Sequence, residues 1–140
     1  MKSSLLKVVS TVHCYFTFAY LGEYLPLHDI EKTTQTRSVK VGHIFEKPTN
    51  PDLVSAGINR DWPHARGAWQ NIDQDVVVWL NEEEHIKIAA TEKGGDIVRT
   101  FKLFCSALEH LELELNVLDY KFAWNEHLGY VVADLKNIGK

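Results

Sequence analysis

Residues 76–90, VVVWLNEEEHIKIAA, constrain this chain more than any other stretch. Two apolar runs rich in β-branched residues flank Asn81-Glu82-Glu83-Glu84, which predicts a strand, an acidic turn and a second strand. In the second run Ile86 and Ile88 take one face, while His85 and Lys87 take the other. Three adjacent carboxylates repel one another, so a fold that holds them together is suited to receive a cation there. The competing reading is a hydrated acidic turn, and spacing alone favours it.

The remainder of the chain supplies what such a hairpin needs around it. Gly94-Gly95 end the second strand, and Asp96 is placed to cap a helix. Ile97, Phe101, Phe104, Leu108, Leu111 and Leu115 recur at steps of four, three, four, three and four. That spacing predicts an amphipathic helix of about five turns whose stripe covers a sheet face. Glu109, Glu112 and Glu114 lie off the stripe as solvated charges.

Residues 71–75 read as a turn, and residues 52–59 as a short helix capped by Asn50 or Asp52. Asp61-Trp62-Pro63 to Arg66-Gly67 reads as a loop, either packed by Trp62 and Trp69 or touching a ligand directly. Residues 120–124 and 130–133 read as strands joined by a turn. Pro26 makes the segment around it extended. Residues 31–40 are polar, a surface helix or loop, and residues 1–20 are apolar, aromatic and poorly periodic. The fold class expected is α+β, an antiparallel β-sheet with helices on one face.

At 140 residues the chain is at most one domain, and 45% hydrophobic with 24% charged residues is a soluble globular composition. A formal net charge of −4 and no basic stripe exclude nucleic acid as the main partner. Cys14 and Cys105 cannot build a disulfide framework, which suits a reducing cytoplasm. Residues 8–22 have the outline of a signal peptide, but Ser10, Thr11, His13 and Thr17 dilute it and no A-x-A-like site follows. The same run is too short and too polar to span a membrane.

Four blocks in one order carry a family resemblance: Asp61-Trp62-Pro63-His64-Ala65-Arg66-Gly67, Val78-Trp79-Leu80-Asn81-Glu82-Glu83, Lys93-Gly94-Gly95 and Trp124-Asn125-Glu126-His127-Leu128-Gly129-Tyr130. Together they resemble the catalytic domain of the phosphagen (guanidino) kinases, in versions closer to creatine kinase than to arginine kinase. The resemblance runs without a gap from about Pro48 to Gly139, and Gly22-Glu23-Tyr24-Leu25-Pro26-Leu27 resembles a block further upstream. It divides the chain into a divergent N-terminal segment, residues 1–21, and a partial catalytic domain, residues 22–140. It implies a guanidino kinase/glutamine synthetase-like catalytic fold, incomplete here. The activity implied is phosphoryl transfer from Mg-ATP to a guanidino compound such as creatine, with no resident metal site.

Site residues follow from the same resemblance. Glu83 matches the family glutamate that holds the guanidino substrate and is a candidate base, with Glu82 beside it. Trp79 matches a tryptophan near the active site, though as a strand residue it reads equally as core. Lys87 stands where the family has an arginine on the nucleotide phosphates; lysine keeps the charge and loses the two-pronged fork. His43 fits a nucleotide-contacting histidine only if one residue is deleted, since the ungapped position is Gly42. Asp134 replaces the family's reactive cysteine in the run Asp134-Leu135-Lys136-Asn137-Ile138-Gly139-Lys140. It keeps negative charge with harder oxygens and a different reach.

The resemblance also implies that most phosphate-binding arginines lie outside this sequence. The isolated chain is therefore expected to show weak phosphoryl transfer, marginal stability and open sheet edges that favour a homo-oligomer. A second reading is a non-catalytic relative that binds a guanidino ligand or a partner kinase chain. A third is a chain with no function of its own.

Overall fold

A computed structural model describes residues 22–29 and 47–133. In chain order these give β1 (Gly22–Pro26), α1 (Pro51–Ser55), β2 (Gly67–Asn71), β3 (Val76–Leu80), β4 (Ile86–Ala90), α2 (Ile97–Val117), β5 (Trp124–Asn125) and β6 (Gly129–Tyr130). The first four strands form one antiparallel sheet in the order β1-β2-β3-β4. The short turns from β2 to β3 and from β3 to β4 are what make those neighbours antiparallel, whereas residues 27–66 separate β1 from β2. The expectations for residues 1–21 and 31–40, and for His43 and Asp134, fall outside the described residues.

Alternation along the central strands sorts their side chains into two cores. Trp69, Val76, Val78 and Leu80 face α2 and pack with Ala107, Leu111 and Leu115, joined at the margin by Tyr24, Ile86, Ile88 and Ala90. The opposite face carries Ala68, Val77 and Trp79, covered by Leu27 and flanked by Trp62 and Ala89. All five residues of β3 are therefore buried, which is why this strand reads as an unbroken apolar run. Burying each such side chain contributes ~1.5–3 kcal/mol. Glycine is required where β1 and β2 meet: a Cβ on Gly67 would lie 2.6 Å from the Leu25 carbonyl oxygen.

Both helix starts fall where the sequence reading puts them, although α1 ends at Ser55 and residues 56–59 form turns. Asn50 caps α1 by accepting from the Asp52 amide at 3.0 Å, with Pro51 in the first turn, where its missing N–H costs nothing. Asp96 caps α2, its Oδ1 accepting from the Arg99 amide at 3.0 Å.

Two expectations need correction. The buried line of α2 is Ala107, Leu111 and Leu115, not a stripe that begins at Ile97. Ile97 is 81% exposed and Phe101 64%, because the first turns of α2 project past the sheet. The buried line also lies at a different angle from the expected stripe: Ala107 is fully buried, whereas Phe104 and Leu108 are half-buried. Likewise, residues 120–124 and 130–133 do not extend the main sheet. They supply only the two-residue strands β5 and β6, a separate ribbon in which Trp124 and Tyr130 pack edge-on at 4.8 Å.

Candidate functional site

The acidic turn connects β3 to β4, the centre of the sheet to its edge. It opens with Asn81 in the left-handed region, φ 56°, a conformation asparagine tolerates better than most residues. The Asn81 amide donates to the His85 carbonyl at 2.9 Å and closes the turn. Its side-chain Nδ2 donates to the Ala65 carbonyl at 2.8 Å, which fastens the turn to the 61–67 loop.

That loop is built around one cation. Arg66 is buried, and its guanidinium donates to the carbonyls of Ile58, Arg60 and His64 while lying 5.0 Å from the Trp62 ring centroid. Burial pushes the guanidinium below its ordinary pKa, and the Asp61 carboxylate pulls it part of the way back. With its Nη1 and Nη2 turned onto backbone oxygens, Arg66 holds the loop together. The loop is thus packed around Arg66 and Trp62, while Trp69 lies in the opposite core, beneath α2.

The three carboxylates of the turn are used in three different ways. Glu84 Oε2 accepts the Ala133 amide at 2.7 Å, across 49 positions of sequence. Glu82 is 22% exposed in its side chain, and its Oε2 sits 3.5 Å from Lys87 Nζ. That oxygen is buried and accepts no hydrogen bond among the described residues, so the contact is a loose ion pair. Glu83 is exposed and engages no partner among the described residues.

Trp79 and Lys87 are register partners on β3 and β4, and this explains their contact. The Trp79 ring belongs to the second core, 9% exposed, and Lys87 Nζ lies 5.4 Å from its centroid, within cation–π range. Trp79 is thus both core and wall of the turn. Lys87 is half-exposed, held between an aromatic face and the Glu82 carboxylate. Of the residues singled out from sequence, Glu82, Glu83, Trp79 and Lys87 come together at this end of the sheet. Among the described residues no group of three or more His, Cys, Asp or Glu side chains is placed to hold a metal.

Two contacts were not legible beforehand, Asn81 to Ala65 and Glu84 to Ala133. Both join a side chain to a backbone group distant in sequence, and backbone partners leave no residue-type signal.

Comparison with known proteins agrees with this geometry. The profile of the ATP:guanido phosphotransferase C-terminal catalytic domain matches residues 5–140, a range that takes in most of the segment read above as divergent. The chain is 41% identical over 118 residues to the flagellar creatine kinase of Strongylocentrotus purpuratus, covering 84% of this chain and 10% of that protein. It is 38% identical over 123 residues to the M-type creatine kinase of Oryctolagus cuniculus, covering 88% of this chain and 32% of the relative. The chain thus spans a third or less of the length of these curated relatives. The fold aligns with a crystal structure of lombricine kinase at a TM-score of 0.85 and 27% identity, covering 99% of this chain and 39% of that one. A duplicated taurocyamine kinase from Schistosoma mansoni aligns at a TM-score of 0.72 and 26% identity, over 99% of this chain and 20% of its own. The chain belongs to the ATP:guanido phosphotransferase family, within its C-terminal catalytic domain.

Proposed function

We propose that the acidic turn is the guanidino-binding edge of a creatine kinase-like phosphotransferase. The observation that carries this reading is the division of labour among its carboxylates. Glu84 is bonded to the Ala133 amide, Glu82 is paired with Lys87, and Glu83 is left open to solvent. A planar guanidinium pairs in two-pronged fashion with one free carboxylate and gains from the potential of a second beside it.

On this reading the substrates are Mg-ATP and a guanidino compound such as creatine. A guanidino nitrogen attacks the γ-phosphorus and forms the N–P bond. The bond from that phosphorus to the bridging oxygen breaks, and its electron pair leaves with ADP. The nitrogen's proton passes to Glu83. Glu82 adds negative potential beside the guanidinium and Trp79 walls the site. Lys87 faces the nucleotide phosphates together with His43, and Asp134 supplies charge at the family's cysteine position. Among the described residues no helix is long and apolar enough to cross a membrane. Cytoplasmic placement and a homo-oligomeric state belong to this reading as proposals.

A second reading rests on Lys87. Its ammonium already sits between Glu82 and the Trp79 ring and would have to leave the Glu82 carboxylate to meet a phosphate, an arrangement that suits a non-catalytic relative binding a guanidino ligand or a partner kinase chain. One pair of measurements separates these possibilities. Creatine binding to the 140-residue chain, followed by calorimetry, is expected to fall at least tenfold in Glu83→Gln, which keeps shape and removes charge. Unchanged binding in that variant overturns the guanidino site. A coupled assay with Mg-ATP and creatine then distinguishes transfer from binding alone.

A further inference from the structure

We propose that Glu84 is a positioning residue, a clasp that fixes the segment after β6 against the acidic turn. This inference deepens the guanidino-site reading and rests on it for its functional consequence. The geometry stands independently of that reading.

The Glu84 Oε2 contact with the Ala133 amide is a charge-assisted hydrogen bond at 2.7 Å between elements that share no strand pairing. The segment it catches is tethered at its other end: the Val131 amide donates to the Ala123 carbonyl at 2.9 Å and prolongs the β5–β6 ribbon. Residues 131–133 thus form a short bridge from the aromatic ribbon to the turn. Glu84 is partly buried, unlike Glu83, as expected of a carboxylate turned toward protein.

Two consequences follow. Fixing one carboxylate of three to a backbone amide lowers the mutual repulsion that would otherwise splay the turn, and so helps hold Glu82 and Glu83 in place. It also links any movement of the turn to the 131–133 bridge. A ligand cation drawn to Glu83 is then felt at Ala133 through Glu84.

The test uses the uniformly 15N-labelled 140-residue chain as wild type, Glu84→Ala, Glu84→Gln and Glu83→Gln. Amide exchange at Ala133 is read against Val78 and Ile88 in the sheet, and creatine is then titrated. Glu84→Ala is expected to lower Ala133 protection at least tenfold and leave Val78 and Ile88 unchanged. Glu84→Gln, which keeps an acceptor oxygen, restores part of that protection. Creatine is expected to shift the turn amides and Ala133 together in wild type, and the turn alone in Glu84→Ala. Ala133 protection within twofold of wild type in Glu84→Ala, or creatine shifts that still reach Ala133 there, overturns the clasp. If Glu84→Ala also loosens Val78 and Ile88, Glu84→Gln decides: equal loosening at all three amides overturns a positioning role, and loss confined to Ala133 supports it. Should creatine shift nothing in wild type, the guanidino reading fails while the exchange arm still decides the clasp. Glu83→Gln is expected to abolish the creatine shifts with Ala133 protection intact, which separates the residue that binds from the residue that positions.

Discussion

The two turns that flank β3 start alike and end differently. Each hairpin has an asparagine where its first strand ends, Asn71 and Asn81, and each turn includes a residue in the left-handed region, Gln74 at φ 57° and Asn81 at φ 56°. Asn71 turns inward. Its Oδ1 accepts from the amides of Asp75 at 3.1 Å and Val76 at 2.9 Å, and its Nδ2 donates to the Asp75 carboxylate. Asn81 turns outward to Ala65, and Glu84 reaches further still to Ala133. A turn that satisfies its own polar groups has nothing left to offer a ligand. A turn braced from outside keeps its carboxylates aimed away from its own backbone, and that difference is what the proposed guanidino site rests on.

Four substitutions test this contrast, beginning with the largest effect. Leu111→Ala empties a fully buried position beneath β3 and should cost ~2–5 kcal/mol in urea unfolding, weakening both turns together. A loss confined to one turn would mean that the two do not hang from a common strand. Asn71→Ala leaves the buried Val76 amide without its acceptor and should cost ~1–3 kcal/mol, with creatine affinity unchanged in the folded fraction. Reduced affinity there would give the closed turn a role the contrast denies it.

Asn81→Gly, which suits the left-handed backbone, removes a more exposed bond and should cost less, ~0.5–1.5 kcal/mol for the lost hydrogen bond. Its signature should be weaker creatine binding, because the brace to Ala65 is gone. If stability falls without any change in binding, both turns are structural. Lys87→Ala should move stability least, by under ~1 kcal/mol, since half of the lysine side chain is solvated and its ion pair is loose. A loss beyond ~2 kcal/mol would mark Glu82 as a buried charge that depends on its partner.

Much of this architecture could be read from residue pattern. The β3 and β4 runs, the turn between them, the Asn50 and Asp96 caps and the existence of α2 all rest on local signals, and all appear where those signals place them. What escaped was set by distance. The exposure of Ile97 and Phe101 depends on where the sheet ends, and the second core depends on Leu27 and Trp62 arriving from other segments. Trp79 reads as core or as site wall from sequence; the structure shows it in the second core, with Lys87 over its ring as register partner. The roles of Glu82, Glu83 and Glu84 were the least legible. Three identical residues in a row carry no sign of which one bonds to Ala133, which pairs with lysine and which stays open.

The strand order also has a meaning in time. β2, β3 and β4 are joined by turns that span residues 72–75 and 81–85, whereas residues 27–66, roughly ten times as many, separate β1 from β2 along the chain. A tenfold longer loop costs about 2 kcal/mol more in closure entropy, and contacts that close short loops form first. The acidic turn therefore belongs to the unit of the sheet expected to assemble earliest. Leu27, arriving with β1, seals the Trp79 face afterwards, so the turn takes its shape before one of its walls has its backing.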